Sequence, residues 1–305
     1  MESPNDRGRL GLVLSGGGAR GFAHIGVLKV LEREGVHFDV IAGTSMGAIL
    51  GAFYANGRRA DDLYQLADTT SWRDVVDLSL QTGLFKGDRL EAFLAEHLPA
   101  TFEELALPLA VTTTDIETGE GVVHMEGDLV RAVRASSSFP GAFEPIQFEG
   151  RTLADGGIVN NLPVAAATLL GATRSIASDV TAPRRSVYAA APSDGTWWDR
   201  MVQTVRLERR MPMAQMLFRT SDIMQAILVD IQYSLHPADL RIRLDMPEVR
   251  VESFRDFHKI VRYGEETAQR ALEAVGGLDA LLTPPRYGTP ERTVTKPRRA
   301  ITRTR

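Results

Sequence analysis

The segment Leu12-Val13-Leu14-Ser15-Gly16-Gly17-Gly18-Ala19-Arg20-Gly21 sets three successive glycines between a strand-like run and a helical pattern. Glycines at such a junction let the backbone turn tightly and present bare N–H groups, and the helix N-terminus adds positive potential. A loop of this kind holds an anion, either a permanent phosphate or an oxyanion that exists only in a transition state. Its Gly16-x-Gly18-x-x-Gly21 spacing also matches the dinucleotide-binding fingerprint. That fingerprint expects an acid closing the second strand, to bind ribose. Asp39 opens the second strand-like run instead, and the run's end carries Gly43 and Ser45. A nucleotide-binding enzyme therefore stays one reading of the loop, and stabilisation by NAD or NADP would reveal it.

Gly43-Thr44-Ser45-Met46-Gly47 is a Gly-x-Ser-x-Gly motif between a strand pattern and a helix pattern. In that setting it forms a nucleophile elbow, where flanking glycines make room for a sharp turn that exposes the serine hydroxyl. A serine is inert without a base. Leu153-Ala154-Asp155-Gly156-Gly157 offers one: Asp155 ends a strand-like run, and the two glycines admit another backbone. A lone Asp-Gly-Gly would otherwise be an Asx turn.

A triad running Ser, Asp, His is the mechanistic rival. Downstream of Asp155 only His236 and His258 exist. His258 lies beside Lys259 in an amphipathic pattern and reads as a surface residue, so His236, in a loop before Pro237, is the better candidate. His24, three residues past Gly21, reads as a packed or capped histidine. The six histidines show no paired metal-ligand spacing, so no metal and no cofactor are expected.

The elements that must position these groups follow from hydrophobic periodicity. Strands are expected at Leu10–Leu14, Phe38–Ala42, Leu107–Thr114, Glu120–Met125, Pro145–Leu153, Ser175–Val180 and Leu240–Leu244. Helices are expected at Ala19–Glu34, Ser45–Asn56, Ala60–Asp68, Asp88–Leu98, Asp128–Arg134, Pro163–Leu170 and Phe254–Val275. The alternation argues for a mostly parallel sheet covered on both faces. The stretch Trp197–Ser234 is helical in character. It holds five of the nine methionines and Arg206, Arg209 and Arg210, which suit either core packing or a lid or membrane-docking surface.

With 305 residues and 44% hydrophobic content, the chain is long enough for a substantial core. The absence of cysteine excludes disulfides, thiolate metal sites and a cysteine nucleophile. The opening MESPNDRGRL has no apolar run after its charges, and the apolar run Ile41–Ala55 is short and broken by glycines, so a cytoplasmic location is expected, with peripheral contact at the inner membrane surface as a further option. The expected organisation is an extension over 1–9, a catalytic domain over 10–282 with a helical insertion at about 196–235, and a basic tail over 283–305. The last twenty residues carry seven bases against Glu291 alone; removing them from totals of 35 and 39 leaves a body at −10. Such a tail reads as solvated, or as a contact for an anionic surface; no nucleic acid is expected.

The blocks Ser15–Gly26 (SGGGARGFAHIG), Gly43–Gly47, Ala135–Pro140 (ASSSFP) and Asp155–Pro163 (DGGIVNNLP), in this order, resemble the patatin-like phospholipase family. The likeness is to its bacterial members related to the neuropathy target esterase catalytic domain. It runs from about Leu10 to Val180, with looser similarity through Ala238–Ala274. The resemblance implies a three-layer α/β/α sandwich and hydrolysis of acyl esters of phospholipids, lysophospholipids or other lipids by a Ser–Asp dyad. Ser45 takes the nucleophile's place and Asp155 the base's. Gly16, Gly17, Gly18, Arg20 and Gly21 take the oxyanion hole, with Gly43, Gly47, Gly156 and Gly157 as motif glycines. A carboxylate is a weak base at neutral pH, so Asp155 is expected to have a pKa raised by burial.

Overall fold

A computed structural model describes residues 8–75, 87–140, 142–182, 213–251 and 253–277. The expectations for residues 197–212 and for the basic tail lie outside these.

Five short apolar runs form the parallel part of one sheet: β1 (Leu10–Leu14), β2 (Val40–Thr44), β3 (Leu109–Asp115), β7 (Arg174–Asp179) and β8 (Leu240–Arg243). Three more strands, β4 (Gly121–His124), β5 (Ile146–Phe148) and β6 (Arg151–Asp155), are antiparallel to their neighbours. The hydrogen-bonded order is β5-β6-β3-β2-β1-β7-β8, with β4 also on β3. β1 to β3 are buried along their whole length, as strands covered on both faces must be.

Alternation along the strands divides the core in two. Leu12, Leu14, Ile41, Leu109, Val111 and Ile176 point into the larger cluster. It is closed by α1 (Ala23–Arg33), α2 (Met46–Ala55), α3 (Ala60–Thr69), α5 (Asp88–His97), α6 (Leu129–Ser136) and α9 (Phe257–Ala274). A short α4 (Trp72–Val75) adds Trp72, which meets Phe22 edge to face. Val13, Val40, Ala42, Ala110 and Ala177 point the other way, onto α7 (Val164–Leu169) and Val229 of α8 (Met213–Leu235). The result is the three-layer α/β/α sandwich, with a mixed but mostly parallel sheet.

Two expectations change in detail. Pro145–Leu153, read as one strand, is a hairpin: Glu149 and Gly150 both adopt positive φ, and the chain reverses between β5 and β6. Two left-handed residues make the tight turn whose twist suits antiparallel strands. The helix expected from Ala19 begins as a 3-10 turn over Gly18–Phe22 before α1.

The hairpin has a consequence for the site. β2 pairs with Leu109–Thr112 of β3 in parallel, and β6 pairs with Thr113–Asp115 antiparallel. Ile41 donates to the Pro108 carbonyl and Ile116 donates to that of Thr152. Even-numbered residues of β3 thus face one edge, since a strand's backbone groups alternate sides. β2 and β6 therefore approach each other end to end along that edge and stop at adjacent residues.

Candidate active site

Ser45 follows β2 directly and caps α2 with φ 54 and ψ −124, one of two non-glycine residues with positive φ among those described. A left-handed serine between strand and helix is a strained elbow. The strain is held from several sides. A Cβ on Gly43 would lie 2.5 Å from the Gly47 carbonyl, and one on Gly47 would lie 2.6 Å from the Ser15 carbonyl, so both glycines are required by backbone crowding. The Ser45 N–H donates to Ser136 Oγ at 2.8 Å, from the end of α6. The N–H groups of Ala48 and Ile49 both donate to the Ser45 carbonyl.

Asp155 ends β6 opposite Thr113 and is 1% exposed. Its backbone is held by a bond from its N–H to the Ser138 carbonyl, and its carbonyl accepts from Thr114 Oγ1. Oδ1 accepts from the Gly157 N–H at 2.7 Å, the local turn that Asp-Gly-Gly favours. Oδ2 is buried and has no hydrogen-bond partner among the described residues. Burial raises the carboxyl from 3.8 to about 6, against opposing pulls from the nearby Ser45 hydroxyl and the Gly157 amide. Ser45 is thus near enough to favour the charged form, while Oδ2 stays unpartnered in this resting geometry; catalytic hydrogen bonds are often long without substrate. Gly156 is needed here because a Cβ would meet Thr112 Oγ1 at 2.7 Å.

The glycine loop crosses over the elbow. A Cβ on Gly16 would lie 3.1 Å from Ser45 Cβ. The five loop residues expected as an oxyanion hole separate into distinct roles in the geometry. The Gly16 N–H is already used, donating to the Asn161 carbonyl at 3.2 Å. Among the described residues the N–H groups of Gly17 and Gly18 have no partner. Gly21 is a packing glycine, since a Cβ there would meet Met46 Cβ at 2.8 Å. Arg20 is buried. Its Nε donates to the Gly17 carbonyl at 3.3 Å and its Nη2 to Asp222 of α8 at 2.8 Å. The Met46 amide, in the first turn of α2, adds a helix-end donor of the kind that lacks an intrahelical acceptor.

Asn161 and Ser136 are site residues the sequence reading left without roles, although both lie in quoted blocks. Asn161 Nδ2 donates to the Gly16 carbonyl at 3.2 Å and to Thr181 Oγ1 at 3.1 Å, tying the glycine loop to the segment after Asp155. A buried amide inside a motif is the signal that would have pointed to it.

The histidines fall outside this arrangement. His24 is fully buried; burial lowers it to about 4, so it is neutral, bonded to Ser178 Oγ and the Ser15 carbonyl. It supports the turn after β1, as a capped histidine does. His258 is exposed, between Tyr64 and Asp68. His236 is exposed just past α8, and among the described residues no hydrogen bond or ion pair joins it to Ser45 or Asp155. Asp39 accepts from the Leu10 N–H at the entrance to β1, the opposite end of the sheet from the glycine loop, where it is out of reach of a ribose held there. No group of three or more His, Asp or Glu among the described residues could hold a metal ion.

A family model described as patatin-like phospholipase matches residues 12–168, which include the glycine loop, the elbow and Asp155. The chain belongs to the patatin-like phospholipase family. It is 38% identical over 200 residues to patatin-like phospholipase domain-containing protein 6 of Mus musculus, covering 62% of this chain and 15% of that protein. It is 34% identical over 203 residues to an uncharacterized NTE family protein of Mycobacterium tuberculosis, covering 64% and 56%. The crystal structure of VipD from Legionella pneumophila aligns with a TM-score of 0.48 at 15% identity, over 87% of this chain and 67% of that one. The chain thus spans a small part of the first relative and about half of the second. Asp222 and the rest of α8 lie beyond the family match.

Proposed function

We propose that the protein is a serine acyl hydrolase acting on lipid esters, with Ser45 as nucleophile and Asp155 as general base. The observation that carries this reading is the meeting of a left-handed, half-exposed Ser45 with a buried Asp155 whose Oδ2 is unpartnered. As Ser45 Oγ bonds to the ester carbonyl carbon, its proton passes to the Asp155 carboxylate. The carbonyl π pair moves onto oxygen, and the unpartnered Gly17 and Gly18 amides, with the Met46 amide, are the donors for that oxyanion. Collapse of the tetrahedral intermediate breaks the ester C–O bond, and Asp155 returns the proton to the leaving alcohol. Water then attacks the acyl-serine, again giving its proton to Asp155, and the fatty acid leaves with Ser45 restored.

The resting pKa near 6 supports the role. A base of this strength is mostly ionised at neutral pH and stronger than an ordinary carboxylate. No histidine is needed for either proton transfer, which favours the dyad over a triad through His236.

The lipid substrates we propose imply contact with a membrane. Exposed Ile223, Ile227, Ile231 and Leu235 recur every four residues along α8, with Met216 and Met224 beside them. Residues four apart share a helix face, so they form one apolar stripe. The opposite face of α8 carries Gln225, buried beside Gly157, and Gln232 Nε2, which donates to the Val159 carbonyl. A phospholipid bilayer touching the stripe would lie one helix away from the dyad. No described helix is long and apolar enough to cross a membrane, so the contact proposed is peripheral. Fatty acid release from lysophosphatidylcholine micelles tests the activity: the wild-type protein releases it and Ser45→Ala does not, whereas equal release by both would contradict the reading.

A further inference from the structure

Arg20 and Asp222 stand 202 residues apart, yet their side chains, 4% and 12% exposed, meet at 2.8 Å. Arg20 also grips the loop it belongs to. Its backbone N–H and its Nε both donate to the Gly17 carbonyl, at 3.2 and 3.3 Å. A trans peptide is planar, with its C=O and N–H on opposite sides. Fixing the Gly17 oxygen therefore fixes the direction of the Gly18 N–H, which points away from Arg20 and has no partner among the described residues. The next residue is pinned as well, because the Ala19 N–H donates to the Val251 carbonyl at 2.9 Å. Gly18 holds φ 56, a conformation with several alternatives open to a glycine, so the peptide needs such restraints to keep one orientation.

We infer that Asp222 is a positioning residue for the oxyanion hole, acting through Arg20 on the Gly17–Gly18 peptide. The inference rests on the acyl-hydrolase reading. A flexible, solvated arginine has many rotamers, and keeping Nε on the Gly17 carbonyl beside the backbone N–H requires the guanidinium to be fixed in place. Asp222 does this with a charge-assisted bond in a largely water-excluded setting, where such bonds are strong. Its side chain reaches the loop from α8, whose Gln225 borders Gly157 on the other side of the site. One helix outside the family match therefore touches the glycine loop and the turn that carries Asp155. The donor so aimed acts only once negative charge develops on the carbonyl oxygen. Its loss should lower kcat and leave substrate binding unchanged.

The test measures kcat and KM for a short p-nitrophenyl ester, per active site titrated to completion with a fluorophosphonate, in Asp222→Ala, Asp222→Glu and Arg20→Lys. Titration removes any loss due to unfolded protein. The expected result is a kcat about tenfold or more below wild type for Asp222→Ala, with KM within about twofold and partial recovery in Asp222→Glu. Arg20→Lys keeps the charge but lacks Nε, and should show the same kcat loss even if Asp222→Ala folds poorly. Wild-type kcat per site in both Asp222→Ala and Arg20→Lys, or an Asp222→Glu no better than alanine, would overturn the inference and leave the dyad standing. Activity that survives Ser45→Ala would instead remove the acyl-hydrolase reading, and this inference with it.

Discussion

Thr44 and Asp155 stand opposite consecutive residues of β3, Thr112 and Thr113, although they arrive on strands running in opposite directions. β2 delivers Thr44 and then Ser45 from one end of the sheet, and β6 delivers Asp155 from the other. A polar lattice fixes the junction: Thr44 Oγ1 lies 2.6 Å from Thr112 Oγ1 and donates to the Asn160 carbonyl, while Thr114 Oγ1 donates to that of Asp155. Register, rather than any single contact, brings the two side chains together.

The raised pKa of Asp155 gives two pH effects of opposite sign. As the general base we propose, Asp155 works ionised, so kcat should rise with pH through about 6 and level off above it. Stability runs the other way. The unfolded carboxyl ionises near 3.8 and the folded one near 6, so between these values the native state binds more protons and stability falls as pH rises. Asp155→Asn removes the ionisation and should be more stable than wild type at neutral pH by about 1–3 kcal/mol. A pH–rate profile and thermal melts check both; a kcat that stays flat from about pH 5 to 7 would contradict the assignment.

Ser136 Oγ accepts from the Ser45 N–H, at one of the two non-glycine residues with positive φ among those described. Ser136→Ala leaves that donor unmatched beside a buried site, at a cost of about 1–3 kcal/mol in stability or in the elbow's geometry. A drop in kcat of about tenfold with KM little changed is expected, and Ser136→Thr, which keeps the hydroxyl, should recover part of it. Steady-state kinetics with a melting curve for each variant decides the matter.

Replacing Ile223, Ile227 and Ile231 with serine should reduce sedimentation with phospholipid vesicles. Hydrolysis of a short soluble ester should change little, because the three side chains are exposed. A loss of vesicle binding with soluble activity retained supports the bilayer contact. Unchanged binding would contradict it.

Much of the fold was legible because the apolar periods are strong. The runs at Leu10–Leu14 and Ser45–Asn56 match β1 and α2 within a residue or so. The hairpin at Glu149–Gly150 was missed because Ile146, Phe148 and Leu153 were read as one strand, although the polar and glycine residues between Phe148 and Leu153 mark the reversal. The tight turns at Ser45 and Asp155 were legible through their flanking glycines, whose need the structure explains by backbone crowding. The division of labour within the glycine loop was not. Gly16, Gly18 and Gly21 look alike in a sequence, but one N–H is taken by Asn161, one has no partner among the described residues, and the third glycine makes room for Met46. Asp222 was out of reach for a different reason. A polar residue in a helix reads as solvated until the fold sets a buried arginine against it.

The most direct test is steady-state hydrolysis of a p-nitrophenyl ester by wild type, Ser45→Ala, Asp155→Asn and His236→Ala, at the pH of maximal activity. A nucleophile and its base act as one unit, so the first two variants should each lose about a thousandfold or more in kcat. His236→Ala should match wild type. An Asp155→Asn variant that keeps its activity, or a His236→Ala variant as inactive as Ser45→Ala, would contradict the Ser45–Asp155 dyad.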